Sequence, residues 1–375
     1  MKYMGSKRLM LENGLGDVLA GLCEKGTRFV DLFSGSGVVS WHVAAKYRIP
    51  TVAIDLQLYS KILANSVLAR TTTVDSSRLW TRWLANARSA KRPRHWPEGS
   101  GLTKESLADM RTWCEDRTAW PVLSAYGGHY FHPEQASWID RLRMTLPDRE
   151  PYRTVALAAL VSAASMVAAS PGHTAQPLRL KRSSKGYIEA AWAREVPKVV
   201  EAVLKRICMA HALVRGYAVV QDAKEFALRL VQNDIVFIDP PYAAVQYSRF
   251  YHVLETIAAG GPVVVDGAGR YPQKELRPQS EFCTKRTSAA ALRELLSRVS
   301  VHGAIAVLTF PDSECSNGLS GDLVRSIAGE FFHMDVRYVN SHFSSLGGRK
   351  IPTDKAMKRA PRRSVREMIL VLDAR

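Results

Sequence analysis

Seven short segments rich in β-branched and aromatic residues, at 27–33, 51–56, 217–222, 234–239, 304–310, 334–340 and 367–373, alternate with stretches of helical period. Strands that alternate with helices argue for an α/β fold with a mostly parallel sheet covered on both faces. Between the second and third segments stand about 160 residues of another character, Trp-rich, helical in period and broken by Pro, Gly and Arg. So long an interruption inside one sheet predicts an inserted, mainly helical unit at 75–214, with 1–74 and 215–375 forming the sheet domain. A chain of 375 residues with 46% hydrophobic content has the material for both.

The net charge of +17 implies a polyanionic partner, because a field of that sign attracts phosphates and otherwise costs self-repulsion. Nucleic acid is favoured over an anionic membrane. The N-terminus lacks the apolar core of a signal peptide, and the one long apolar stretch, 155–169, is mostly Ala and Ser, which suits a buried helix rather than a membrane span. Cys23, Cys114, Cys208, Cys283 and Cys315 lie far apart with no C-x-x-C pair and no His at zinc spacing. They are expected to be buried thiols in a reducing cytosol, and no metal site is expected.

The first motif is Phe29-Val-Asp-Leu-Phe-Ser-Gly-Ser-Gly37, an apolar strand running into a glycine-rich turn and a helix that starts near Val38. Such a turn lets the backbone approach a ligand at the carboxyl edge of the sheet. Asp31 precedes the turn, where a carboxylate could hold an ammonium group. The next strand ends in Asp55, which could accept hydrogen bonds from ribose hydroxyls. Ser40 stands where a dinucleotide fingerprint has its third Gly or Ala, and no G-K-[ST] follows, so a nucleoside cofactor of another kind is expected.

More specific is Ile235-Val-Phe-Ile-Asp-Pro-Pro-Tyr242, a buried strand that delivers a carboxylate, a rigid turn and an aromatic ring to the same edge. The lone pair of an exocyclic base nitrogen is delocalised into its ring and is a poor nucleophile. Hydrogen bonds from such an amine to the Asp239 carboxylate and the Pro240 carbonyl favour a more tetrahedral nitrogen, while Tyr242 stacks on the extruded base.

At these residues the sequence resembles the D12-type, Dam-like N6-adenine DNA methyltransferases, in the class with target recognition between the cofactor and catalytic motifs. The resemblance runs from Lys2-Tyr-Met-Gly-Ser-Lys7 through 31–37, Asp55 and Asp222 to Asp239, Pro240, Pro241 and Tyr242. It implies a seven-stranded, Rossmann-like methyltransferase sheet and S-adenosyl-L-methionine as cofactor. Tyr3 or Lys7 would contact the methionine end, with Asp31 and Asp239 nearby. Phe33, Ser34, Gly35, Ser36 and Gly37 would cradle the cofactor, Asp55 and Leu56 would hold the ribose, and Asp222 with Ala223 the adenine amine. The central region departs from Dam itself, so no recognition sequence is carried over.

Contacts to double-stranded DNA are expected from three basic runs read as loop or domain edge: 82–95, 179–185 with Arg179, Lys181, Arg182 and Lys185, and 349–366 with Arg349 and Lys350. The last holds eight Lys or Arg against one acid, Asp354. Tyr126-Gly-Gly-His-Tyr-Phe-His132 and Trp138 add rings for base or intercalating contacts, although Trp138 is spaced like a core residue beside Ile139 and Leu142. The segment Tyr247-Ser-Arg-Phe-Tyr-His-Val-Leu-Glu255 should pack beside the target-base pocket. No Cys follows a Pro, which excludes C5 methylation of cytosine, and Asp239 in place of Ser tilts the product towards N6-methyladenine over N4-methylcytosine. Two alternatives stay open at this point: an RNA N6-adenine methyltransferase and an inactive nucleic-acid-binding module. The expected setting is restriction-modification or phage defence, with a nuclease or defence partner, in the cytoplasm near the nucleoid.

Overall fold

The computed structural model describes residues 7–93, 96, 101–342, 349–353, 356–360 and 364–374; Tyr3 lies outside them. All seven expected strands form and join one sheet. They are β1 Arg28–Asp31, β2 Thr51–Asp55, β3 Tyr217–Val220, β4 Asp234–Ile238, β5 Ile305–Pro311, β6 Phe332–His342 and β7 Ser364–Ala374. Their order across the sheet is β3-β2-β1-β4-β5-β7-β6. Strands β1 to β5 pair in parallel, and β7 runs antiparallel to both of its neighbours.

The pleat divides the core between two faces. Phe29, Ile235, Phe237, Val307 and Ile369 point to one face and meet Leu15, Leu19, Val39 and Val43. Their chain neighbours Val30, Val236, Ile238, Leu308 and Leu370 point to the other, against Phe226, Leu292, Leu295 and Val324. Alternate residues of a strand face opposite ways, so strands buried on both sides must be apolar throughout, as β4 is at all but its first residue. That first residue, Asp234, is buried and held by Arg28, whose Nε donates to Oδ1 at 2.9 Å.

Among the described residues the region 75–214 is helical, with helices Ser76–Ser89, Lys104–Glu115, Pro121–Tyr126, Pro133–Met144, Tyr152–Val167, Arg182–Trp192 and Val196–Met209. The Ala-rich helix Tyr152–Val167 is buried, and no helix of the described residues is long and apolar enough to cross a membrane. These helices share one continuous core with Tyr59, Ile62 and Leu63 of the helix Leu58–Leu68 and with Val253, Leu254 and Ile257 of the helix His252–Ala259. Trp83 lies at the heart of it, 1% exposed, with its indole N–H donating to the Leu142 carbonyl at 3.0 Å.

Several sequence expectations fall here. The run 82–95 is a loop only in part: its first part, 82–89, belongs to the helix Ser76–Ser89, whose Leu79, Trp80 and Trp83 are buried while Arg82 and Arg88 stay exposed, and 91–93 follow it outside any helix or strand. In the run 349–366, strand Arg349–Thr353 pairs antiparallel with Ala356–Ala360, and β7 begins at Ser364. The rings of Tyr126, Tyr130 and Phe131 are fully buried, so they are core and not base contacts; Tyr130 donates its hydroxyl hydrogen to the Thr174 carbonyl at 2.6 Å. Trp138 is half-buried under the Arg141 guanidinium, 3.8 Å from its ring centre. Four of the five cysteines are buried as expected, while Cys315 is half-buried, and all five are free thiols.

Candidate functional site

The carboxyl ends of β1 to β4 open onto a single cleft of about 1030 Å³, part of it open to solvent. Ligands of open α/β sheets bind at this edge because the loops there diverge. One wall is the turn after β1. Gly35 and Gly37 adopt positive φ, at 49° and 74°, and a Cβ on Gly37 would come within 3.1 Å of the Trp41 indole nitrogen. Gly37 then caps the helix Val38–Lys46. The turn is tied to β2 by the Gly35 N–H, which donates to Asp55 Oδ2 at 2.9 Å, while Gln57 N donates to Oδ1 at 2.9 Å.

Asp31, 1% exposed, ends β1 beneath this turn. Ser40 donates to its Oδ2 at 2.5 Å and the Phe33 N–H to its Oδ1 at 3.4 Å. Burial dominates over these bonds and pushes the Asp31 carboxyl up to about 7. Burial raises Asp55 as well, against the hydrogen bonds it accepts. After β3, Asp222 caps the helix Ala223–Ala227 by accepting from Lys224 N at 2.8 Å, and it lines the cleft at the same time.

The opposite wall is the turn after β4. Asp239 Oδ1 receives two partners, the Lys7 ammonium at 3.0 Å and the Thr309 hydroxyl at 2.9 Å. Lys7 is buried, and its Nζ also lies 2.8 Å from Glu367 Oε2. Burial alone would lower the Lys7 pKa; the two carboxylates override it and hold the amine charged, far above its ordinary range. Asp239 is raised by burial, with Lys7 opposing. Asn317 fixes the turn by donating to the Pro241 carbonyl at 2.8 Å and to the Phe282 carbonyl at 3.0 Å. A reciprocal pair between the Gln246 side-chain amide and the Ser280 backbone, at 2.9 and 2.7 Å, holds the 278–282 segment over the cleft.

Of the expected site residues, Lys7, Asp31, Phe33, Ser34, Gly35, Ser36, Asp55, Leu56, Asp222, Ala223, Asp239, Pro240, Pro241 and Tyr242 meet around this one cleft. Gly37 shapes the turn without lining it. Arg179, Lys181, Arg182 and Lys185 are exposed elsewhere, at the start of the helix Arg182–Trp192, with Lys185 3.8 Å from Glu189. Arg349 and Lys350 lie on the strand Arg349–Thr353, and their side chains are outside the described set. The segment 247–255, expected beside the target-base pocket, brings Tyr247 and Ser248 to the cleft wall. Sequence reasoning missed Ser40, Gln57, Gln246, Thr309 and Glu367; Ser40 was visible in the motif, and the others are brought to the site by strand pairing or by loops.

Residues 205–291, which carry β3, β4 and the turn Asp239 to Tyr242, match the family model described as D12 class N6 adenine-specific DNA methyltransferase. Over these residues the chain is similar to that class. It is 25% identical over 309 residues to the Type II methyltransferase M.FokI of Planomicrobium okeanokoites, covering 80% of this chain and 43% of that protein. It is 25% identical over 272 residues to the Type II methyltransferase M.NlaIII of Neisseria lactamica, covering 69% of each. The Modification methylase LlaI of Lactococcus lactis subsp. lactis is 23% identical over 289 residues, 73% of this chain and 41% of that protein. The chain thus spans less than half the length of M.FokI and LlaI. The seven-stranded, mostly parallel sheet is consistent with that similarity.

Proposed function

We propose that the protein is a DNA methyltransferase that transfers a methyl group from S-adenosyl-L-methionine to N6 of an adenine flipped out of duplex DNA. One observation carries the reading: the Asp239-Pro240-Pro241-Tyr242 turn and residues 33–36 of the glycine turn line one cleft at the carboxyl edge of the sheet. The names of the relatives support a restriction-modification setting, with a nuclease as the expected partner.

The cleft's chemistry fits the cofactor. Gln57 Oε1 and Ser248 Oγ are buried on its wall with no hydrogen-bond partner, and a buried polar atom left so is costly unless a ligand completes it. Asp31, Asp55 and Asp222 are acceptors suited to the ammonium, the ribose diol and the purine amine, while Phe33, Phe237 and Phe282 offer apolar surface. When bound, the cofactor supplies an electrophilic methyl group. The chain's own residues do the rest. Tyr242 stacks on the target base. Asp239, whose Oδ1 is taken by Lys7 and Thr309, turns Oδ2 to the amine and with the Pro240 carbonyl orients it for in-line attack.

Residues 75–214 would serve as the target-recognition region and the remainder as the catalytic domain, with Arg179, Lys181, Arg182, Lys185, Arg349 and Lys350 on phosphates. The test is incubation of the purified protein with unmethylated DNA and cofactor, then nucleoside digestion and mass spectrometry. N6-methyladenine is the expected product; a dominant N4-methylcytosine peak would sink the adenine assignment.

A further inference from the structure

Lys7 bridges two carboxylates that come from different strands, Asp239 Oδ1 at 3.0 Å and Glu367 Oε2 at 2.8 Å. Glu367 reaches the site because β7 is antiparallel: its register opposite Pro311 puts the start of β7 at the carboxyl ends of the parallel strands. The mechanism above uses Asp239 and leaves Glu367 without a task. Yet a second half-buried carboxylate beside an already paired lysine carries a desolvation cost that an apolar residue would not.

We propose that Glu367 is a positioning residue for the target amine's partner: it anchors the Lys7 ammonium from the far side, so that Asp239 Oδ2 stays open to the amine. This rests on the methyltransferase reading. As the nitrogen–carbon bond forms, the carbon–sulfur bond breaks with its electron pair on sulfur, and the attacking nitrogen must shed one hydrogen as a proton. Asp239 can orient that N–H and take the proton only if the ammonium does not occupy both of its oxygens. Thr309 and Lys7 already converge on Oδ1. With Glu367 gone, Lys7 would turn its remaining N–H groups to the nearest acceptor, Asp239 itself.

Among the described residues, the charged and titratable groups that face Asp239 include, besides Lys7 and Glu367, Asp31 from β1 and the Tyr242 hydroxyl. Arg366, next to Glu367 in sequence, points away and donates from Nε to Asp312 Oδ2 at 2.9 Å. Glu367 raises the pKa of Asp239 and Lys7 lowers it, so losing the first frees the second to act alone.

The test compares full-length wild type with Glu367→Gln, which keeps the shape, and Glu367→Asp, which keeps the charge. In single-turnover methylation Glu367→Gln should lose about tenfold or more in rate, with KM for cofactor and DNA within about twofold, while Glu367→Asp recovers part of the rate. The acid limb of its pH–rate profile should move down by about half a unit or more. A second readout needs no turnover: the carboxyl-carbon NMR titration of Asp239 in aspartate-labelled protein should show the same downward shift. A slow Glu367→Gln enzyme with an unmoved profile and an unmoved Asp239 titration would overturn the proposal, because Glu367 would then act on the fold alone. A wild type that methylates no DNA defeats the methyltransferase reading instead, and the Asp239 titration still decides the coupling.

Discussion

Ser40 donates its hydroxyl hydrogen to Asp31 Oδ2 at 2.5 Å, across the glycine turn that separates them in sequence. The bond fixes the carboxylate that closes the floor of the cleft, yet it does not offset the burial that lifts Asp31 to about 7. A group near 7 responds to pH in the working range of an enzyme.

That response gives the first prediction. Below pH 7 Asp31 is largely protonated and cannot pair with the cofactor's ammonium; above about 8 the ammonium itself loses its charge. Cofactor affinity should therefore rise by up to about tenfold per unit as pH climbs towards 7, then fall beyond about 8. Asp31→Asn should erase the acid limb, read by calorimetric titration between pH 5.5 and 9. The cofactor-free protein supplies a check of sign. A carboxyl whose folded-state pKa is raised contributes stability that is full below its unfolded value and lost as pH rises through about 7, so Asp31→Asn should stabilise more at pH 8 than at pH 5. Equal effects at both pH values would contradict this.

On the proposed mechanism, Asp239→Ala should lower the methylation rate by about two to four orders of magnitude. The circular dichroism spectrum should stay native, because Asp239 stands at the edge of the sheet and not in its core. Turnover near the wild-type level would withdraw the assignment.

Replacing Arg179, Lys181 and Arg182 together with Ala should weaken binding to cognate and random duplex alike. Each phosphate that is no longer neutralised reduces the slope of log K against log salt by about 0.9, so the slope should flatten by up to about 3 units. Fluorescence anisotropy over a salt series measures it, and an unchanged slope would return this exposed segment to solvent.

Trp83→Ala should cost about 3–5 kcal/mol by urea unfolding, since it empties a fully packed site and leaves the Leu142 carbonyl without its donor. Trp83 does not line the cleft. A loss below about 1 kcal/mol would mean that this part of the core is loosely packed.

The inner strands were legible because strands buried on both faces must be apolar in a nearly unbroken run, as 235–238, 305–308 and 368–372 are; the edge strands 217–220 and 332–342, largely exposed, showed only in their β-branched and aromatic residues. Strand direction was not, and with it went Glu367: nothing in the residues 367–373 says that the strand starts where the others end. Ser40 was read only as the absent third glycine of a dinucleotide motif, although its hydroxyl is what braces Asp31. In the run 82–95, counting charges hid the helical period set by Leu79, Trp80 and Trp83, which turns the arginines to solvent without making 82–89 a loop. The rings of Tyr126, Tyr130 and Phe131 look like base contacts when only their chemistry is considered; their burial follows from long-range packing against the helix His252–Ala259 and the segment around Thr174.

The continuity of the helical core has a consequence for how such a protein can change its target. Helices of 75–214 pack on the helix Leu58–Leu68, which follows Asp55, and on the helix His252–Ala259, which follows the turn 239–242. Glu255 makes the junction tighter by accepting the N–H groups of Leu58 and Tyr59 at 2.9 and 3.0 Å. A chimaera that exchanges 75–214 alone with a relative would cut through a single packed interior, and each mismatched side chain there would be felt at the cleft. Transplanting specificity therefore means moving the flanking helices as well, so that the exchanged piece arrives with the surfaces it was shaped against.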